Sequence, residues 1–433
     1  MHRRHFLKLL SATGLTCSLP ALNYNLAHAA NCEQDQFWVT IAAKGAWDTT
    51  MLFDPKGDID PYGRGYVNNS YTRSQINQFG NLSIAPFMPE QDNDPYTAFF
   101  EKYYRELLII NGIETSTNNH KSGEKYVWSG KLDKIYPCFG ATVAGTRDIA
   151  LPLAFLSAGS YDRTESLVAK STLDNNPVSL LEITQPNRVK PTDATNQDLY
   201  YDENIFQAIQ DAQNARLERL MANETLPNRL KSMQQLQTAR SGIPQLKQLL
   251  DRLPESLDDS DNRLLRQSQV VTVAFATGLC SSANLVLSGF DSHSNNDQLQ
   301  YDITPSLLEA IDFLLIEAER QGIRDRLNII VGSDFGRTPW YNNKNGKDHW
   351  STTGMMFIGP QFQGNRVIGS TDDACTAQKV NPTTLQPDEN GITITPELIQ
   401  HQLRQAACVA SSIQEEFPME LDQAQLNASY LFS

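Results

Sequence analysis

Short apolar runs of strand length alternate with helical patterns along most of this 433-residue chain. We predict buried strands at 37–43, 107–113, 151–157, 283–288, 327–332 and 355–359. The helical patterns fall at 95–106, 138–145, 264–277, 305–321 and 396–410. Apolar strands that alternate with helices are typical of a mostly parallel sheet covered by helices on both faces. The alternation therefore predicts an α/β fold.

The first 29 residues have the pattern of an export signal. Arg3 and Arg4 precede Phe-Leu-Lys, a mildly apolar stretch covers 9–26, and 27–29 is a small-x-small cleavage site. This pattern resembles a twin-arginine signal, with a plain secretory signal as the alternative. Because the apolar stretch contains Ser, Thr, Asn and Pro20, we expect no permanent membrane anchor. We expect the twin-arginine translocation machinery as a partner and a periplasmic or secreted location.

Residues 30–433 are long enough for one large domain with insertions or for two smaller domains, and we predict one domain. The segment 201–255 interrupts the alternation because it is polar, favours helix and is rich in Gln, Arg and Glu. We predict that this segment is a helical insertion or cap rather than part of the sheet.

The chain is acidic, with a formal net charge of −14. Removal of the signal takes away Arg3, Arg4 and Lys8, which brings the charge to about −17. No basic run offsets this charge, so we expect no nucleic acid partner. An anionic substrate would need local cations or a metal ion. The pairing of the five remaining cysteines is not given by the sequence; they are Cys32, Cys138, Cys280, Cys375 and Cys408.

Carboxylate and imidazole side chains follow several of the predicted strands. The metal-ligand candidates are Asp48, Asp291, His293, Asp334, Asp348 and His349. Functional residues gather beyond the carboxyl ends of parallel strands, so we expect these side chains at one edge of the sheet. Their chemistry suits Zn²⁺ or Mn²⁺, with Ca²⁺ possible. The alternatives are a helix N-cap for Asp48 and ordinary turns for the two Asp/His pairs.

The order of these motifs resembles the alkaline-phosphatase-like superfamily. More closely, it resembles the twin-arginine-exported bacterial family catalogued as domain of unknown function number 1501. The stretches that carry the resemblance are 45–48, 120–130, 289–295, 333–338 and 348–349. The most specific of them is Ser-Asp-Phe-Gly-Arg-Thr at 333–338, followed shortly by Asp-His.

The resemblance implies a three-layer sandwich of metal-dependent ester hydrolase ancestry. Asp48 and Asp334 would bind one ion. Asp291, His293 and His349 would bind the second. At the position of Phe335, however, the hydrolases of the superfamily commonly have His or Asn. An aromatic ring cannot bind an ion, so we expect one ion rather than two.

The nucleophile is a second departure from the superfamily, which places Ser, Thr or a modified Cys at the start of a helix. The matching position here is near Asn119, which has no hydroxyl. Thr117 and Ser122 are the neighbouring candidates, with an N-cap as the alternative for each. His120 is predicted to be an orienting residue, a metal ligand or the general base.

Lys44 and Arg337 are the local cations that an anionic ester would need, and a salt bridge to a neighbouring aspartate is the alternative for each. Together these features predict an exported, metal-dependent hydrolase of a small phosphate or sulfate ester. The competing prediction is a non-catalytic periplasmic binding or export-accessory protein that keeps the fold with a reduced metal site.

Overall fold

An eight-stranded sheet forms the centre of the fold. The computed structural model describes residues 35–432, apart from 64, 66–67, 90–93, 148–150, 152, 174–184, 191–194, 242–248, 250–251 and 254–260. The strands in chain order are β1 (Phe37–Lys44), β2 (Asn77–Phe79), β3 (Leu82–Ile84), β4 (Leu107–Glu114), β5 (Phe155–Ser157), β6 (Lys170–Thr172), β7 (Ser282–Ser288), β8 (Leu327–Gly332), β9 (Gly336–Arg337), β10 (His349–Trp350), β11 (Thr352–Ile358) and β12 (Arg366–Ile368).

The sheet has the strand order β12-β4-β11-β8-β1-β7-β5-β6. Only β11 runs antiparallel to its two neighbours, β4 and β8, while the other pairs of this sheet are parallel. Two further pairs, β2 with β3 and β9 with β10, form separate antiparallel ribbons. The predicted mostly parallel sheet is therefore confirmed.

Helices cover both faces of the sheet. They are α1 (Pro95–Tyr103), α2 (His120–Ser129), α3 (Phe139–Thr146), α4 (Glu203–Asn223), α5 (Pro227–Ser241), α6 (Arg263–Ala276), α7 (Asn296–Arg320), α8 (Pro396–Ala406), α9 (Ser411–Glu416) and α10 (Gln423–Leu426). Helices α1, α6 and α7 share one apolar core with Val39 and Ile41 of β1. Helices α2, α3 and α8 share the other with Trp38 and Ala42. Because alternate side chains of β1 enter opposite cores, the three-layer α/β sandwich is confirmed.

The observed elements differ from the predicted ones mainly at their ends. The strand predicted at 151–157 is confined to β5, and the helix predicted at 396–410 ends at Ala406. Helix α7 begins at Asn296, nine residues before Pro305, which we expected near its start. Buried Gln300 and Tyr301 pack the added turns against the core, and this packing outweighs the hydrogen bond that proline removes.

The predicted helical segment 201–255 contains α4 and α5, and in α4 only Leu217 is buried. Its role as an insertion stays a prediction, and the predicted signal at 1–29 lies outside the described residues. Among the described residues, no helix has the length and apolar character needed to cross a membrane. Cys138, Cys280 and Cys375 are buried free thiols.

Candidate metal centre

The carboxyl ends of β1, β4, β7 and β8 meet at one edge of the sheet. The loops after β7 and β8 carry Asp291 and Asp334, and α2 follows β4 after a short loop. Gly45 has a φ of +117°, and a Cβ added there would lie 2.7 Å from the amide nitrogen of Asp291. Glycine therefore lets the loops after β1 and β7 pack directly against each other.

Three histidines and one aspartate converge at this edge, and we call them the imidazole cluster: His120, Asp291, His293 and His349. Ligand atoms of His120, Asp291 and His349 all lie within 4.8 Å of one another. Nε2 of His293 lies 2.9 Å from Nε2 of His349 and 3.3 Å from Oδ1 of Asp291. Nε2 of His120 and Nε2 of His349 each lie 3.6 Å from an oxygen of Asp291. The side chains are partly exposed, so a ligand can reach them.

Each imidazole of the cluster is oriented through its Nδ1 atom. The hydrogen-bond acceptors are Oδ2 of Asp334 for His120, Oδ1 of Asp348 for His293 at 2.9 Å, and the carbonyl oxygen of Asn118 for His349 at 2.8 Å. Ionised carboxylates and carbonyl groups only accept hydrogen bonds, so the hydrogen of each neutral ring is on Nδ1. The Nε2 lone pairs then face the cluster. Such outer partners are typical of histidines that bind a metal.

The positions of these lone pairs fit a single metal ion. Two neutral rings whose Nε2 atoms are 2.9 Å apart, as in His293 and His349, repel each other unless a cation lies between them. Nε2 of His120 is buried and has no hydrogen-bond partner. Ligands that surround Zn²⁺ tetrahedrally at about 2.0–2.1 Å lie about 3.3 Å from one another, close to the separations seen here. A proton would satisfy one pair of these atoms, whereas a metal ion would satisfy His120, Asp291 and His349 together, with His293 beside this group.

Burial and neighbouring charged groups shift the pKa values of three residues of the cluster. The hydrogen bond that His120 donates to Asp334 raises the pKa of His120. Burial lowers the pKa of His349 and favours its neutral form. Partial burial opposes ionisation of Asp291, but the hydrogen bond and charge of Arg337 outweigh it and lower the pKa of Asp291. Asp291 is therefore held as a carboxylate.

Arg337 lies behind the imidazole cluster rather than at its opening. Its side chain is fully buried, and Nη2 is 2.7 Å from Oδ1 of Asp291. Nε donates to the carbonyl of Ala46 at 2.7 Å, and Nη1 donates to the carbonyl of Lys347 at 3.0 Å. The guanidinium donates its hydrogen bonds to groups within the protein, and the role of Arg337 in substrate binding stays a prediction. It is a structural partner of Asp291.

Asp48 belongs to a second group, which we call the closed cluster: Asp48, Thr50, Asn296 and Lys347. Nζ of Lys347 lies 2.8 Å from Oδ2 of Asp48 and 3.1 Å from Oγ1 of Thr50. Asn296 donates to Oδ2 of Asp48 at 2.9 Å, and the amide of Thr50 donates to Oδ1 at 3.1 Å. Both charged side chains are almost completely buried. An ammonium group therefore neutralises the carboxylate of Asp48 in this structure, and its metal-ligand role stays a prediction.

Asp334 and Asp348 contact the Nδ1 atoms of two histidines of the cluster. Oδ1 of Asp334 accepts hydrogen bonds from the amide of Ala46 at 2.6 Å and from Ser333 at 2.8 Å, and its other oxygen holds His120. Asp348 holds His293 and also accepts a hydrogen bond from Asn342 at 3.2 Å. Both carboxylates accept hydrogen bonds from the imidazoles in this structure, and their role as direct ligands stays a prediction.

The predicted nucleophiles and Lys44 lie beside the cluster. Thr117 accepts a hydrogen bond from the amide of Asn119, the N-cap of α2, and Asn119 in turn caps the amide of Ser122. No hydrogen bond joins either hydroxyl to the imidazole cluster in the part of the chain that the structure describes. Lys44 is paired with Glu124 at 2.9 Å and remains 43% exposed, so the salt-bridge alternative holds for it, with Glu124 in place of an aspartate.

Phe335 forms part of the wall of the cluster, and Lys347 is the residue that the sequence analysis missed. The Phe335 ring is buried and lies 4.8 Å from the ring of His120 and 4.6 Å from that of His349. Lys347 directly precedes the candidates Asp348 and His349 in an acidic chain. That adjacency was the signal that could have identified it as a partner for one of the carboxylates.

The chain matches the family described as "Protein of unknown function (DUF1501)" over residues 37–388. None of the curated proteins matches it. Similar solved structures include the PsFucS1 sulfatase from Pseudoalteromonas sp., with 10% identity, 92% of this chain and 73% of that chain covered, and a TM-score of 0.38. The lipoteichoic acid synthase LtaP from Listeria monocytogenes has 8% identity, coverages of 93% and 77%, and a TM-score of 0.38. The phosphonate monoester hydrolase SpPMH from Silicibacter pomeroyi has 9% identity, with 87% of this chain and 74% of that chain covered and a TM-score of 0.37. Similarities of this size assign no activity to the chain.

Proposed function

For this chain, which belongs to the DUF1501 family, we propose a metal-dependent hydrolase that cleaves a phosphate or sulfate ester at the imidazole cluster. The observation that carries the proposal is that Nε2 atoms of three histidines lie within 3.6 Å of the carboxylate of Asp291. Two of them, His120 and His349, form one compact group with it, and every Nδ1 atom is held from outside. These acceptor atoms face one another without hydrogen-bond donors between them. A divalent cation requires such a set of ligand atoms.

We propose Zn²⁺ or Mn²⁺ as the ion, because imidazole ligands suit these metals better than Ca²⁺, which prefers oxygen. A single ion is favoured by the closed cluster. Lys347 supplies the positive charge beside Asp48, and Arg337 supplies it behind Asp291. A second divalent ion would compete with these two internal cations.

A divalent ion held by the cluster would lower the pKa of a water molecule and neutralise the charge that develops on a transferring phosphoryl or sulfuryl group. His120, Asp291 and His349 would bind it, and His293 would lie beside them, 2.9 Å from His349. Asp334 and Asp348 keep the rings in the tautomer that exposes Nε2. Because Thr117 and Ser122 have no hydrogen bond to the cluster, we infer that water rather than a side-chain hydroxyl attacks the ester.

The competing function is that of a non-catalytic binding protein with the same metal site. It is favoured by the position of Arg337, whose burial leaves no guanidinium at the opening of the cluster to bind the transition state. A binding protein would hold the metal and an anion without turnover.

The test combines metal analysis with a panel of aryl phosphate, phosphodiester and sulfate esters. Purified protein should contain about one equivalent of metal, and turnover should be abolished in Asp291→Ala and His349→Ala. The matched control is His401→Ala, because His401 lies on α8 outside the cluster. Metal content without turnover of any ester would favour the binding protein. Metal-free protein that gains no activity with Zn²⁺, Mn²⁺ or Ca²⁺ would end the proposal.

We also propose that the chain is exported by the twin-arginine machinery and acts in the periplasm or outside the cell. Arg3→Lys combined with Arg4→Lys should leave the protein inside the cell with its leader attached, whereas Lys8→Arg should be exported normally. Cell fractionation measures both. Export of the double variant would favour the plain secretory signal.

A further inference from the structure

A groove lined by three cationic side chains and by Glu124 runs along α2, the helix that begins at His120. Its lining includes Lys121, Ser122, Lys125, Ser160, Tyr161 and Arg163. The rest of the chain is acidic, with a net charge of −14, so a local excess of cations is the exception that an anionic ligand requires.

Two of the charged residues in this groove are already neutralised. Glu124 pairs with Lys44 at 2.9 Å, and Arg163 pairs with Glu165 at 2.9 Å. Two ammonium groups remain, because no ion pair with Lys121 or Lys125 is formed by the described residues.

Lys121 and Lys125 lie four residues apart on α2, so they occupy the same face of the helix, where like charges repel. Two unpaired ammonium groups side by side are unfavourable for the free protein. An anion bound between them would remove this repulsion and add charge-assisted hydrogen bonds.

Ser160 supplies an independent observation in the wall of the same groove. Its Oγ atom is buried and has no hydrogen-bond partner. Its backbone has a φ of +61°, in the left-handed region that is costly for a residue other than glycine. A buried hydroxyl without a partner, on a strained backbone, is a local cost in the groove wall, and a small movement of Ser160 towards a bound oxyanion would relieve it.

The groove and the imidazole cluster share helix α2. Helix α2 begins with His120, and the helical rise of 1.5 Å per residue puts Lys125 about 7.5 Å further along the axis. Lys44, which pairs with Glu124 in the groove, directly precedes the glycine that packs against Asp291. Lys121 and Lys125 are rotated by about 100–140° around the helix axis from His120, so a ligand that contacts both places would extend around the start of α2.

We propose that the groove is a second anion subsite, which binds a phosphate or sulfate group of the substrate while the scissile ester lies at the imidazole cluster. The part that concerns the ester rests on the proposed hydrolase function. The substrate is then an ester with at least two anionic groups, separated by several ångströms.

The test uses 1-naphthalenesulfonate and 1,5-naphthalenedisulfonate, which differ by one anionic group. Titration calorimetry with the metal-loaded protein should give about tenfold tighter binding for the disulfonate. The double variant Lys121→Gln/Lys125→Gln should lose this gain. The charge-matched control is Lys190→Gln/Lys379→Gln, which removes two exposed lysines elsewhere and should keep the gain. Retention of the gain in the first variant, or an equal loss in the control, would overturn the subsite.

The same variants separate this inference from the hydrolase proposal. A protein that cleaves no ester but keeps the lysine-dependent affinity has the subsite without the activity. If the protein cleaves doubly charged esters and the first double variant has an unchanged KM, the activity stands and the subsite is excluded.

Discussion

The imidazole cluster and the closed cluster lie at the same edge of the sheet and each contains an aspartate, yet they differ in how the charge of that aspartate is balanced. In the closed cluster, Lys347 and Asp48 neutralise each other, and both are buried. In the imidazole cluster, Asp291 is half-exposed, and Nε2 of His120 has no partner. One group is complete without a ligand, and the other is not.

The difference separates charged residues that hold a fold together from those available for chemistry. A buried carboxylate with a full set of donors has no capacity left for an ion. Lone pairs that face one another in a partly exposed pocket keep that capacity and require a cation. Four predictions, in order of decreasing expected effect, test whether this division is real.

The largest effect is expected from Lys347→Met in the closed cluster. It leaves Asp48 charged and buried without a cation, which should lower the free energy of unfolding by about 3–5 kcal/mol. Chemical denaturation measures the loss. Lys344→Met, three residues away and exposed, is the control and should change little. Addition of Asp48→Asn to Lys347→Met should restore most of the stability. An unchanged denaturation midpoint for Lys347→Met would mean that the two clusters do not differ in this way.

The next effect is expected from His349→Ala in the imidazole cluster. Loss of one ligand should weaken metal affinity by more than about a hundredfold, beyond the range known for outer partners. The metal-free protein should lose less than about 1 kcal/mol of stability, because the ring is partly exposed. Competition with a chelator measures the affinity, and His401→Ala should bind metal like the wild type. A large loss of stability with unchanged metal binding would reverse the roles of the two clusters.

A smaller effect is expected from Asp348→Asn, which changes only the partner of His293. The amide accepts a hydrogen bond less strongly than the carboxylate, so metal affinity should fall by about 10–100-fold. Asp325→Asn is the control, because the Asp325 side chain is 85% exposed. Equal affinities for Asp348→Asn and the wild type would remove Asp348 from the site.

The smallest effect is expected in the pH dependence of metal binding. Asp334 raises the pKa of His120, so a proton competes with the metal for Nε2 at higher pH than for an ordinary histidine. Metal affinity should be at its maximum above the raised pKa of His120 and should fall as the pH decreases through that pKa. Asp334→Asn removes the cause, so its decline should begin at lower pH. Affinity measured across the pH range checks this, and an onset that does not move would exclude Asp334 as the cause.

Much of the fold could be read from the sequence, because it depends on local patterns. The apolar runs of β1, β4, β7 and β8 gave strands of nearly the correct extent. The short ribbon of β9 and β10 was not predicted, since two-residue strands have no periodicity. That ribbon pairs His349 with Arg337 and so brings the last histidine to the sheet edge.

The candidate site was only partly predictable. The residues named in the sequence analysis do meet at this edge of the sheet. The sequence did not show which of them contact one another. His120 was expected to be catalytic, orienting or a ligand, and the structure places its free Nε2 within the cluster. Asp48 was expected to bind metal, and in the structure it pairs with Lys347. The groove along α2 was not foreseen, because its wall combines a helix with a loop distant from the motifs.

The sequence by itself determined the layered α/β fold, the acidity of the chain and the set of imidazoles and carboxylates that follow its strands. Only the tertiary structure decided which carboxylate is paired with a cation and which is free to bind one. The physical reason is that neutralisation depends on distance and burial. Asp48 and Lys347, far apart in the chain, come within 2.8 Å only after the sheet has formed.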